Sequence, residues 1–310
     1  MTLTKIALVG ANGKLGPSIL AALLAATTFK VTILTRQSSK STYPPTVHVS
    51  PIPEDPSVAD LTTALTGHDA LVVAFAGSND TLQIRYADAA AAAGVKRFIP
   101  ADFGSCDSSS PRALELVPLY RAKQKVRRHL QSLAAAAASE EGRSSFSWTS
   151  LVCGHFFDWG LTTGFLQYDL TARKVKVFDG GDVRFSASTM ERVGVATVRS
   201  LQREEETRDR VLFVQSLCVS QNEVLHALER VGTPGEKWKV EHISSEEYVG
   251  EIKGEMERDP NDAEAVENMV SVVGIVDSNW EGKQDFANSL LGLENEDLDL
   301  LVKKITSGHL

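Results

Sequence analysis

The chain has 310 residues, 43% of them hydrophobic and 23% charged, with a formal net charge of -8. That length suits one large domain, or a main domain with a smaller one built onto it, and the ordinary composition argues against wholesale disorder. The acidic balance, with basic residues interspersed, repels nucleic acid and anionic membrane surfaces, so neither is expected as a partner. The longest apolar stretch, Ile19 to Ala26, is too short to span a bilayer. Lys5 leads directly into a strand-like run rather than a signal peptide. Cys106, Cys153 and Cys218 lie far apart and form no metal knuckle or disulfide framework. A cytoplasmic monomer or homodimer with no metal is the expectation.

Strand-like runs in the first half fall at Ile6–Val9, Val31–Leu34, Val47–Val49, Ala70–Ala74, Arg97–Pro100 and Ser147–Val152. Helix-like segments separate them at Pro17–Ala26, Val58–Leu65, Leu82–Ala93 and Ala113–Ala137. Gly67 and Gly94 act as helix stops, and the alanine runs read as helix interiors because alanine is the best helix former. A polar turn over 139–145 returns the chain to the sheet. This alternation predicts an α/β fold, a Rossmann-type doubly wound parallel sheet. The second half is less regular. It offers strands at Val175–Phe178 and Val211–Val214 and a helix at Gln221–Val231 between Ser220 as N-cap and Gly232 as stop. A capping box at Ser244 and Glu247 follows, then an acidic stretch, Gly254–Glu267, read as solvated helix surface or loop. The expected division is a dinucleotide-binding domain over 1–153 and a smaller mixed α/β substrate-binding lobe over 154–310, with strands returning to the main sheet.

Gly10-Ala11-Asn12-Gly13-Lys14-Leu15-Gly16 follows the first strand and opens the first helix. Such glycines serve a tight turn, close backbone approach to a pyrophosphate, and close packing of helix on strand. The helix N-terminus then offers N–H groups and a partial positive charge to the phosphates. Asn12 and Lys14 are expected to face them, and Phe75 and Ala76 to pass beside the adenosine half. An NAD site usually has an acidic residue at the end of the second strand. Here Thr35-Arg36 stands there, with Lys40 shortly beyond, and a guanidinium binds a 2′-phosphate bidentately where a carboxylate would repel it. The cofactor expected is therefore NADPH/NADP+.

Three segments together resemble the NmrA-like and isoflavone-reductase-like proteins, which are atypical short-chain dehydrogenases. These are the glycine loop, Ala93-Gly94-Val95-Lys96-Arg97-Phe98-Ile99-Pro100-Ala101-Asp102-Phe103-Gly104, and Lys123-Gln124-Lys125-Val126-Arg127-Arg128. The resemblance covers the first half and thins after Phe157. Ala101 stands where the family often has serine. The resemblance implies that Phe103 lies beside the nicotinamide, in contact with cofactor and substrate, and that Lys123 is the family lysine, touching the cofactor and handling the proton. Desolvation of Lys123 beside a cationic nicotinamide would disfavour its charged form, suiting it to general base work, while its ammonium would suit a developing oxyanion. Tyr120-Arg-Ala-Lys123 is one residue too short for the YxxxK pairing, which removes Tyr120 as catalytic tyrosine. The competing reading of Lys123 is a solvated lysine among other cations.

In the second half, His155, Phe156 and Trp159 suggest a pocket for a flat or apolar substrate, with a packed core histidine as the competing reading of His155. No two histidines have zinc-ligand spacing and no GxSxG elbow supports hydrolysis. The first expectation is a reductase of a small aromatic or polyketide-like metabolite in fungal-style specialised metabolism. An NADP(H)-retaining isomerase or cyclase and a dinucleotide-sensing regulator remain as alternatives.

Overall fold

The computed structural model describes residues 2–139, 146–232, 237–259 and 262–308. The polar turn expected over 139–145 lies, beyond Ser139, outside them. In chain order the strands are β1 Lys5–Val9, β2 Lys30–Arg36, β3 His48–Ile52, β4 Ala70–Val73, β5 Arg97–Ile99, β6 Ser147–Val152, β7 His155–Phe156, β8 Tyr168–Asp169, β9 Lys174–Phe178, β10 Arg184–Ser188, β11 Arg210–Phe213, β12 Leu217–Ser220 and β13 Lys239–Ile243. The helices are α1 Gly16–Ala25, α2 Val58–Leu65, α3 Asp80–Ala92, α4 Pro111–Leu116, α5 Pro118–Ser139, α6 Phe157–Thr163, α7 Met190–Gln202, α8 Gln221–Val231, α9 Ser245–Arg258, α10 Ala263–Asp277, α11 Asn288–Leu291 and α12 Leu298–Thr306. They form two compact units. One joins Met1–Phe103, Pro118–Leu151 and Val193–Leu212; the other joins Gly104–Val117, Val152–Arg192 and Phe213–Leu310.

The first unit is built on a seven-stranded sheet in the order β11-β6-β5-β4-β1-β2-β3. The pairings of β1 with β2 and β4, and of β4 with β5, are parallel. Parallel strands lie beneath helices on both faces, which is why β1 and β4 read as unbroken apolar runs. Ala7, Val9, Leu71 and Val73 pack with Leu61, Leu65, Tyr86, Val126 and Leu130 in one core cluster. The alternate residues Ile6, Leu8 and Val72 are equally buried and take the opposite face. Pro51 sits in β3, the edge strand, where its missing N–H costs no ladder bond.

The expected single helix over Ala113–Ala137 is two helices, α4 and α5. Pro118 excludes its predecessor from helical geometry, and Val117 is extended at φ -124°, ψ 111°. The third strand also runs later than its valines suggested, over His48–Ile52.

The second unit has two small sheets. β10 pairs antiparallel with β12 and parallel with β7, while β9 pairs parallel with β13 and antiparallel with β8. Ser220 and Glu223 form a reciprocal capping box on α8. Ser244 accepts the Glu247 N–H and opens α9. Of the acidic stretch read as solvated helix or loop, residues 254–258 end α9 and residues 263–267 begin α10, whose N-cap is Asp262, while 260 and 261 lie outside the described residues.

Candidate functional site

The loop between β1 and α1 returns on itself through a Gly13 N–H bond to the Gly10 carbonyl at 2.9 Å. Gly10 has φ +81°, and a Cβ there would meet the Ala74 carbonyl carbon and Phe75 nitrogen at 2.6 Å, so glycine alone fits. Gly10, Asn12 and Gly13 line a cleft of about 550 Å³ together with Arg36, Phe75 and Ala76. Ser39, Ser41 and Tyr43 also line it. Those three went unmarked at the level of sequence, although the hydroxyl-rich run around Lys40 was an available signal.

The donor chemistry fits a dinucleotide. Ser57 and Asp60 cap α2 and Asn79 caps α3, whereas Leu15 gives the start of α1 no capping side chain. A helix start left in that condition offers its first N–H groups to an anion. At the cleft rim Arg36 is 69% exposed and lies 3.9 Å from Glu54. Of the other expected cofactor residues, Lys14 and Lys40 are exposed, while Leu15 and Gly16 are buried at the start of α1. None of these four, nor Phe103 or Lys123, is among the residues lining the cleft.

Lys123 and Arg127 are four apart on α5 and share a face. Both converge on Asp102, in the loop after β5. The Lys123 ammonium donates to the Asp102 main-chain carbonyl. Arg127 donates to Asp102 Oδ2 at 2.5 Å through Nη2 and 3.2 Å through Nε, and Ser150 Oγ donates to the same oxygen. Asp102 Oδ1 is buried with no hydrogen-bond partner among the described residues. Lys123 is 9% exposed, Arg127 6% and Asp102 3%, so Lys123 is a buried lysine and not a solvated one. Its stem runs against Gly77, where an added Cβ would meet Cε at 2.9 Å. Tyr120 is packed nearby, its ring centroid 5.6 Å from the ammonium.

The same loop carries Phe103, buried and held at φ +26°, a conformation that non-glycine residues rarely adopt. Buried Gln83 ties the loop to its neighbour, accepting the Ala101 N–H at 2.9 Å and donating to the Gly77 carbonyl at 3.4 Å. Asp102, Ser150 and Gln83 were missed as site residues because their partners are distant in sequence. The ammonium on the Asp102 carbonyl and the guanidinium on its carboxylate put two cations in one desolvated place, which favours negative charge developing nearby.

In the second unit His155 is 1% exposed, and its Nε2 lies 3.1 Å from the Ser271 carbonyl. Its ring packs edge-on against Phe165 and Phe185. Gly274 of α10 lies against the same ring, where an added Cβ would collide. Burial pushes the His155 pKa down to about 4. The ring is thus packed as core. Phe156 and Trp159 are half-buried, and Trp159 stacks at a tilt on Phe165 with centroids 4.9 Å apart. Between them in sequence, Asp158 accepts the Trp159 and Met190 N–H groups, and burial raises its pKa.

A family model described as NAD(P)H-binding matches residues 10–199. The oxidoreductase aprR of Aspergillus flavus is 34% identical over 244 residues, 78% of each chain. The oxidoreductase poxI of Penicillium oxalicum is 32% identical over 302 residues, covering 95% of this chain and 91% of that one. Among solved structures, AtPrR2 with NADP+ and (+)pinoresinol superposes with a TM-score of 0.75 at 18% identity, covering 98% of this chain and 99% of that one. An isoflavone reductase superposes at 0.73 with 19% identity, covering 99% and 100%. Those superpositions show that the fold is shared with the isoflavone-reductase-like structures, and the chain belongs to the NAD(P)H-binding family, with fungal oxidoreductases among its relatives.

Proposed function

We propose that the chain is an NADPH-dependent oxidoreductase that reduces a small aromatic or polyketide-like specialised metabolite, with Lys123 as the proton-handling group. The observation that carries this reading is the anchoring of Lys123. Its ammonium is buried, bonded to the main chain of the loop after β5, and four residues from the arginine that neutralises the Asp102 carboxylate. A protein that only sensed a dinucleotide would need the glycine cleft but not a buried, held ammonium. Arg36 at the rim of that cleft supports NADPH over NADH. The half-buried rings of Phe156 and Trp159 support a flat substrate, as does the neighbour that has (+)pinoresinol bound.

The reduced nicotinamide, when bound, supplies the electron pair and hydrogen that a reduction needs. Lys123 Nζ gives a proton to the substrate oxygen on which negative charge develops, and Arg127 adds positive potential in the same desolvated place. Asp102 and Gln83 hold the loop to which that ammonium is bonded.

The test is Lys123→Ala, with NADPH consumption and product followed together over a panel of aromatic ketones and enones. Binding of NADPH should survive, while turnover falls by about two to four orders of magnitude. Unchanged turnover would remove Lys123 from the chemistry. Product formed without NADPH consumption would point to a cofactor-retaining isomerase or cyclase, and absence of turnover in both proteins to a regulator.

A further inference from the structure

We propose that Glu54 is a second determinant of cofactor choice: from the rim of the nucleotide cleft its carboxylate opposes the 2′-phosphate that Arg36 would hold, and so limits the preference for NADPH over NADH. This rests on the NADPH reading above. Glu54 lines the same cleft as Arg36, Ser39 and Ser41. Its Oε2 lies 3.9 Å from Arg36 Nη1, and its Oε1 accepts the Ser38 N–H at 3.0 Å. A backbone bond from Gln37 N–H to the Ile52 carbonyl at 2.9 Å joins the same two chain segments. The carboxylate is therefore fixed beside the turn that follows β2, rather than free to swing away. The Ser38 contacts and Arg36 also hold its pKa below the usual carboxylate range, so it stays charged at neutral pH.

Two consequences follow from charge alone. A guanidinium that turns Nη1 to a phosphate gives up its approach to Glu54. The carboxylate then stays close to a phosphate carrying nearly two negative charges, and the two repel. NADH carries no phosphate at that position and meets neither effect. Both side chains are more than half exposed, at 69% and 54%, so salt should weaken the opposition.

The test uses the full chain and Glu54→Gln, which keeps the size and an acceptor for the Ser38 N–H but removes the charge. Calorimetric titration at low ionic strength should show NADPH bound about threefold or more tighter by the variant. NADH affinity should stay within about twofold, and the NADPH gain should shrink at high salt. NADPH affinity unchanged or weakened, or both cofactors tightened alike, would overturn the proposal. Arg36→Asp measured alongside separates the two readings. If it lowers NADPH affinity while Glu54→Gln changes nothing, only the Glu54 role fails; if neither the parent nor Arg36 discriminates NADPH, both readings fail together.

Discussion

Arg127 and Arg36 carry the same guanidinium into opposite circumstances. The Arg127 side chain is 7% exposed and its partner Asp102 2%, with 2.5 Å between them. The Arg36 side chain is 69% exposed and 3.9 Å from a carboxylate that is itself 54% exposed. A desolvated pair cannot exchange partners, because removing either member strands a buried charge. A rim pair at the longer distance is weak and screened, so its cation remains available to an incoming anion. The contrast separates a charge that holds the loop behind Lys123 from an exposed one that we propose recognises the cofactor.

The comparison breaks most readily at its buried end. Arg127→Ala leaves the Asp102 carboxylate without its cation and should destabilise the protein by about 3–5 kcal/mol, read as a fall in the denaturant midpoint. A loss no larger than that of an average surface substitution would show that Asp102 is not held by charge pairing. His155 extends the test to a buried group that has no ion pair among the described residues. Its pKa is about 4 in the folded protein against 6.5 ordinarily. Below the ordinary value the unfolded chain binds a proton that the native ring refuses. The stability tied to the neutral ring is thus complete above that pH and is lost as pH falls toward the folded value, by about 3 kcal/mol in all. His155→Gln should flatten that part of the stability–pH curve, and an unaltered curve would mean that His155 is not kept neutral by burial.

Buried parallel strands announce themselves, which is why β1 and β4 and the glycine loop between β1 and α1 were legible from residue order alone. Lys123 and Arg36 were legible because a motif and a strand end marked them. The break at Val117 was legible in principle, since Pro118 was in view, but the alanine-rich helix beyond it masked the boundary. β7 and β8 are two residues each, too short for a periodicity to mark. Asp102 was hidden for a different reason. Nothing near it in sequence reveals that Arg127 and Ser150, 25 and 48 positions away, meet on its carboxylate.

The smallest effect is expected where the comparison predicts none. Arg230 and Asp299 make a close ion pair at 2.6 Å with both side chains about half exposed. Arg230→Ala should leave the melting temperature unchanged within error at physiological salt. A clear drop would show that distance, rather than burial, decides what a charge pair contributes here.

The central claim is that the glycine cleft takes NADPH through Arg36, and calorimetric titration of the parent and Arg36→Asp with both cofactors tests it most directly. The account predicts that the substitution weakens NADPH by roughly ten- to a hundredfold, the scale of a lost charge-assisted hydrogen bond, while NADH changes little or improves. Equal weakening of both cofactors, or none for either, would contradict it.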